Sequence, residues 1–153
     1  MKYCIDTSSL MDARHRWYPP ALFPSLWSRI EALIASGGLI SSDEVFHELE
    51  RKDDKLLKWG KERRGMFLPL SDAVQEAARK ILKQFPRLVD ARTGKSFADP
   101  FVIATAEVTD TTVVTGEKPT GSPDRPKIPD VCEHFEIPWI NIVGMIRQEG
   151  WAF

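Results

Sequence analysis

A chain of 153 residues carrying a formal net charge of -1 fits a single domain over 1–153, long enough to bury roughly two thirds of the surface that its unfolded form exposes. Its two cysteines, Cys4 and Cys132, stand far apart and in no C-x-x-C spacing, which argues against a disulfide framework and for a reduced, cytoplasmic protein. No basic and then apolar leader reads as a signal peptide, and no apolar run approaches the ~20 residues that span a bilayer, so no membrane partner is expected.

Met1 to Ile5 reads as a short buried strand, and the hydroxyl-rich "DTSS" that follows it is suited to start a helix or tight turn. "RHRWYPPALFP" is a proline-punctuated connection. From Leu22 to Ala35 a helix is expected, with Leu26, Ile30, Leu33 and Ile34 on one face, ended by "SGG". "LIS" reads as a strand, and residues 43–51 as a helix with Val45 and Leu49 inward. That helix is expected to continue through the basic segment to about Arg64, where Gly65 stops it. "MFLPL" bridges to a helix over Asp72 to Gln84, and "PRLVDARTGKS" resumes loop chemistry. A helix begins near Asp99, followed by the β-branched strand "TTVVT", a turn-rich loop over 116–130, the short strand "IPWI" and a closing helix over Asn141 to Glu149. Strands alternating with helices predict an α/β domain with a mainly parallel sheet.

In open α/β sheets ligands gather beyond the carboxyl ends of the strands. Asp6 stands there after the first strand, and Glu117 takes the equivalent place after "TTVVT". Glu44, Glu48 and Asp99 lie near helix starts that face the same crevice. Several carboxylates brought together repel one another unless cations or donors compensate, and a hard metal ion is the simplest compensation. Each acid also has a structural use. Asp6 can cap the helix after it; Asp99 can cap a helix with Pro100 at its first position; Glu44 can complete a capping box with Ser41. Glu48 has no capping duty, though it can pair with Lys52 one turn on.

Other chemistries lack their residues. His15, His47, His134 and the cysteines show no zinc spacing, and "HELER" has Arg51 where a zinc-protease helix needs a second histidine. No phosphate loop, dinucleotide fingerprint or G-x-S-x-G turn is present. An aspartate-based phosphotransferase using Asp6 lacks the D-x-D pattern, because position 8 is serine.

Taken together, "IDTSSL", "EVFHEL", "ADPFVIATA" and "VVTGEK", with "KIPDVC" near the end, resemble the PIN-domain family, and within it an uncharacterised bacterial PIN-like group. The resemblance spans nearly the whole chain. It implies a three-layer α/β/α fold with a central, mainly parallel sheet, and the activity of a Mg²⁺- or Mn²⁺-dependent endoribonuclease using one or two ions. It further implies the toxin of a toxin-antitoxin pair, with an antitoxin protein as partner, single-stranded RNA as substrate and a homodimer as assembly. Matched residue by residue, the catalytic and metal-binding acids fall on Asp6, Glu48, Asp99 and Glu117, with Ser8 steadying a carboxylate. At the fourth position the family usually has an aspartate in a T-x-D or T-x-N setting, whereas this chain has Thr115, Gly116 and Glu117. Asp130 is an auxiliary candidate. That departure keeps open a catalytically inactive PIN-like module that binds RNA or protein.

An acidic centre repels a phosphate backbone, so cations are expected around it. Residues 51–64 hold seven Lys or Arg against three acids. Lys55, Lys58, Lys61, Arg63 and Arg64, with Arg14, Arg16, Arg92, Lys95 and Lys118, are the phosphate-contact candidates. Trp17 and Trp59 are candidates for base stacking, although tryptophans commonly anchor cores. The "WAF" terminus suits either a dimer contact or docking on its own core.

Overall fold

The computed structural model describes residues 1–90 and 92–153. Five parallel strands form one sheet in the order β3-β2-β1-β4-β5. They are β1 (Tyr3–Ile5), β2 (Leu39–Ser42), β3 (Phe67–Leu68), β4 (Thr112–Val114) and β5 (Trp139–Ile140). Cys4 pairs with Ile40 on one side and with Val113 on the other, so β1 is the central strand. Every residue of β1 and β2 is buried, as expected of parallel strands covered on both faces.

Helices flank the sheet and complete a three-layer α/β/α domain. They are α1 (Thr7–Asp12), α2 (Pro24–Ala35), α3 (Asp43–Lys52), α4 (Asp54–Lys61), α5 (Asp72–Gln84), α6 (Asp99–Thr109), α7 (Ile128–His134) and α8 (Ile142–Gln148). The helix α6 is the most apolar of the set and packs against β1, β2 and β4, burying Val102, Ile103, Ala104 and Ala106. That burial fixes where its first residue, Asp99, emerges.

Four boundaries differ from those expected. The basic helix is two helices: Asp53 leaves helical geometry at φ -153° and ψ 92°, and its carboxylate caps α4 by accepting the Leu56 amide at 3.0 Å. A capping side chain outweighed the continuity of the charge pattern. Residues Ala13–Trp17 extend α1 as a wider π-type turn, closed by the Tyr18 amide on the Ala13 carbonyl at 2.9 Å. Phe67 and Leu68 pair with Ser41 and Ser42 as an edge strand, which Pro69 ends because it has no amide to donate. The long loop stops at Lys127, and α7 begins at Ile128 with Pro129 in its first turn.

A candidate acidic active site

Asp6 follows β1 directly and caps α1. Its Oδ1 accepts the Ser9 amide at 2.8 Å, while its own amide donates to the Val114 carbonyl at 3.0 Å. The side chain is 2% exposed. Ser41 donates its hydroxyl to the Ile5 carbonyl at 2.7 Å, fastening β2 to the residue before Asp6. Ser42, one residue later, caps α3 by accepting the Glu44 amide at 3.2 Å. The expected capping box of Ser41 with Glu44 is therefore not the one formed: Ser41 still belongs to the strand.

The start of α6 is built differently from the expected cap. Ala98 already has helical angles, φ -75° and ψ -20°, so Asp99 occupies the first helical position instead of capping. The acceptor for the Ala98 amide comes from elsewhere in the fold: Glu48 Oε1 at 2.9 Å. Glu48 is 4% exposed, and its Oε2 accepts from Lys52 at 3.2 Å. Asp99 is half-buried beside it, and its amide donates to the Ser96 carbonyl at 3.1 Å.

Glu117, two residues beyond Thr115, is also half-buried. Its amide donates to the Thr115 hydroxyl at 3.1 Å, and its Oε1 accepts the Ile128 amide at 3.1 Å. Asp130 is turned into its own loop. It accepts the amides of Lys127 at 2.7 Å, Thr120 at 2.9 Å and Gly121 at 2.9 Å, which hold its carboxyl below the usual range against the effect of burial.

Charge couples four of these acids. Burial pushes the Asp6 carboxyl up to about 6; hydrogen bonds from Thr115 and Ser9 oppose the shift, and the charge of Glu117 adds to it. Asp99 is pushed up to about 8, first by burial and then by Glu117, Asp6 and Glu48, with Ser96 opposing. Asp130 does not contribute to either.

Among the described residues no three His, Cys, Asp or Glu side chains form a ready-made cage for a metal ion. Magnesium-type ions, however, are usually held by one or two carboxylates, with waters and substrate phosphate completing the shell. Asp6 and Asp99 supply an oxygen-only pair whose ionisation is opposed by burial and by the charge of neighbouring acids. That chemistry fits a hard divalent cation.

Ser8 is exposed on the first turn of α1, and the donors that steady Asp6 are those of Ser9 and Thr115. Ser8 is the position that the family resemblance implied, and no hydrogen bond joins it to Asp6 among the described residues. Trp59 is a core residue: it is 6% exposed, donates Nε1 to Glu31 at 2.8 Å and meets Trp27 edge to face at 5.9 Å. Trp17 is 46% exposed and borders the site, since a methyl placed on Gly116 would lie 3.7 Å from its indole and 3.8 Å from Ser9 Oγ.

The basic candidates divide as well. Arg63 is engaged by Glu31, Arg64 by Asp43, and Arg14 lies over the rings of Trp27 and Trp59 at 4.8 and 5.2 Å. Lys55, Lys58 and Lys61 are exposed on α4. Beside the acids the cations are Lys95, which the sequence suggested, and Arg87, Arg125 and Lys127, which it did not. Their signal was hidden because two separate loops bring them together.

A parallel sheet in the order 3-2-1-4-5 flanked by helices matches a PIN-like fold. In agreement, a chain of the VapBC2 structure from Rickettsia felis, solved bound to a DNA fragment from their promoter, is similar over 92% of this chain and 98% of its own. The TM-score is 0.53 and the identity 15%, a likeness of fold. Residues 3–153 match the family described as a domain of unknown function, DUF4411, and the chain belongs to that family. No curated protein matches it. Among the described residues no helix is long and apolar enough to cross a membrane.

Proposed function

We propose that this protein is a Mg²⁺- or Mn²⁺-dependent ribonuclease that hydrolyses phosphodiester bonds in single-stranded RNA. The observation that carries the proposal is the pairing of Asp6 and Asp99, brought to one edge of the sheet by β1 and α6, each with a carboxyl raised by burial and by neighbouring acids. Asp6 and Asp99 would hold the ion, with Glu117 supporting from the β4 side. When bound, the ion supplies neutralisation of phosphate charge and acidification of a water.

The remaining steps belong to the chain. Ser9 and Thr115 keep the Asp6 carboxylate oriented. Glu48 holds the first turn of α6 through the Ala98 amide, and so places Asp99. Trp17 offers a ring to an unstacked base on the Asp6 side. The fold likeness to a VapBC2 chain supports extending a protein antitoxin partner to this chain, which would then act as the toxin of the pair. A homodimer and a cytoplasmic location complete the proposal.

A second reading, an inactive module that grips RNA or protein, is favoured by Glu117, whose Oε1 is already engaged by the Ile128 amide. One experiment separates the two. Purified protein is incubated with mixed single-stranded RNA and Mn²⁺, with EDTA, and as Asp6→Asn and Asp99→Asn variants. Cleavage that needs the metal and vanishes in both variants supports the nuclease; RNA binding without cutting across metals and substrates replaces it with the binding module.

A further inference from the structure

We infer that the pocket at the start of α6 is a phosphate subsite for the RNA chain as it approaches the acids, an inference that rests on the nuclease proposal for its substrate. The pocket measures about 270 Å³ and is lined by Arg87, Lys95, Arg125 and Lys127, with Ser96 and Asp99 in its wall. Four cations therefore share one cleft with a principal acid. Its volume lies just below the ~300–1,000 Å³ of pockets that engulf small molecules, which suits one unit of a chain passing through.

Both walls are held by the backbone. On one, the Asp90 amide donates to the Lys95 carbonyl at 3.1 Å and the Gly94 amide to the Asp90 carbonyl at 2.8 Å, closing the turn that presents Lys95. On the other, the Thr120 hydroxyl donates to the Arg125 carbonyl at 2.8 Å, and Asp130 takes the Lys127 amide at 2.7 Å. Between them Ser96 sits at φ +64°, a left-handed conformation uncommon for serine and of the kind that clusters at functional sites.

The cations are available. Lys127 lies 3.9 Å from Glu117, but among the described residues Arg87, Lys95 and Arg125 make no ion pair. Asp90 and Asp124 also line the pocket and temper its charge. Asp90 already accepts the Arg92 amide at 3.0 Å. Unpaired cations next to an acidic centre are what a polyanion needs to approach it, because each phosphate neutralised releases counterions. The shared ligand chemistry is phosphate, either an internal diester or a terminal monoester.

The test is equilibrium binding in EDTA, where no cleavage is required, read by fluorescence anisotropy of labelled single-stranded RNA bearing a 5′-phosphate or a 5′-hydroxyl. The pocket variant is Arg87→Ala, Lys95→Ala and Arg125→Ala together. Its control, Arg29→Ala, Arg79→Ala and Lys83→Ala, removes the same charge from exposed positions on α2 and α5. We expect the pocket variant to lose about tenfold or more in affinity and the slope of log K against log salt to shallow by about 2, with the control changing far less. Loss of a 5′-phosphate preference assigns the monoester, and equal loss on both RNAs assigns the diester.

Equal losses in the two variants, or none in the pocket variant, overturn the subsite. If the pocket variant does not fold, Arg125→Gln in the exposed loop is read by the same criteria. A wild type that binds through the pocket yet never cuts removes the nuclease and leaves the subsite. A wild type that cuts while the pocket variant binds and cuts equally well does the reverse.

Discussion

Glu48 holds the start of a helix through a residue fifty positions away: its Oε1 accepts the amide of Ala98, the residue before α6, at 2.9 Å and joins α3 to it. One carboxylate thereby does structural work and aims Asp99. Glu48→Ala would strand a buried amide and is expected to lower stability by about 1–3 kcal/mol, measured by urea unfolding. Glu48→Gln keeps an oxygen acceptor for the Ala98 amide, so the fold and the place of Asp99 should persist while RNA cleavage falls by about tenfold or more because the negative charge beside Asp99 is lost. Glu44→Gln, on the half-exposed first turn of α3, should change stability by less than about 0.5 kcal/mol and leave cleavage unchanged. Equal activity losses in the two glutamine variants would remove Glu48 from the site.

Asp130 organises the loop before α7 by accepting three amides, and its carboxyl is held below the ordinary 3.8. A depressed acid contributes stability above its unfolded value, and that contribution is lost as pH falls through the folded value. Asp130→Ala is therefore expected to speed hydrogen exchange at Thr120, Gly121 and Lys127 without changing exchange in α6. Acidification below the ordinary carboxylate range should loosen the same amides in the wild type. Unchanged exchange in the variant would remove Asp130 as the organiser of this loop.

Trp17 is the exposed aromatic beside Gly116 and Ser9. As a stacking platform it should be worth about 1–3 kcal/mol of RNA binding, lost in Trp17→Ala and largely kept in Trp17→Phe. The diagnostic quantity is KM: an increase with kcat preserved marks substrate contact. A fall in thermal stability with KM unchanged would mark Trp17 as packing instead.

The order of strands and helices was legible because each element carries its own period, and the four acids that the family resemblance implied, Asp6, Glu48, Asp99 and Glu117, lie close enough for charge to couple them. What was not legible was decided between elements. Asp99 looked like a cap, but Ala98 is already helical and its amide is held by Glu48, and Ser41 looked like a cap while its hydroxyl was committed to Ile5. Trp59 and Trp17 are the same residue type in similarly basic surroundings; only the Trp27 and Glu31 contacts put one of them in the core. Arg87, Arg125 and Lys127 lie on separate loops that meet only in the folded chain, so no local pattern marks them.

Asp99 and Asp6 should make the stability of the metal-free protein fall as pH rises. Each has a folded value above the ordinary 3.8, near 8 for Asp99 and near 6 for Asp6, so the native state holds protons that the unfolded chain releases. The favourable contribution is complete below the unfolded value and is lost progressively between pH 3.8 and about 8, Asp99 accounting for the upper half of that window. Asp99→Asn keeps the shape without the charge, and should raise stability by on the order of 2 kcal/mol at neutral pH in EDTA and flatten the pH profile above about 6. Mg²⁺ or Mn²⁺ should raise the melting temperature of the wild type, more at about pH 8 than at about pH 5, because bound cation and bound proton compete for the same carboxylates. The variant should show little of that response. Thermal melts across pH, with metal and with EDTA, read both effects without any assay of cleavage, and a wild-type profile that is flat in EDTA and indifferent to metal would rule out Asp6 and Asp99 as its ligands.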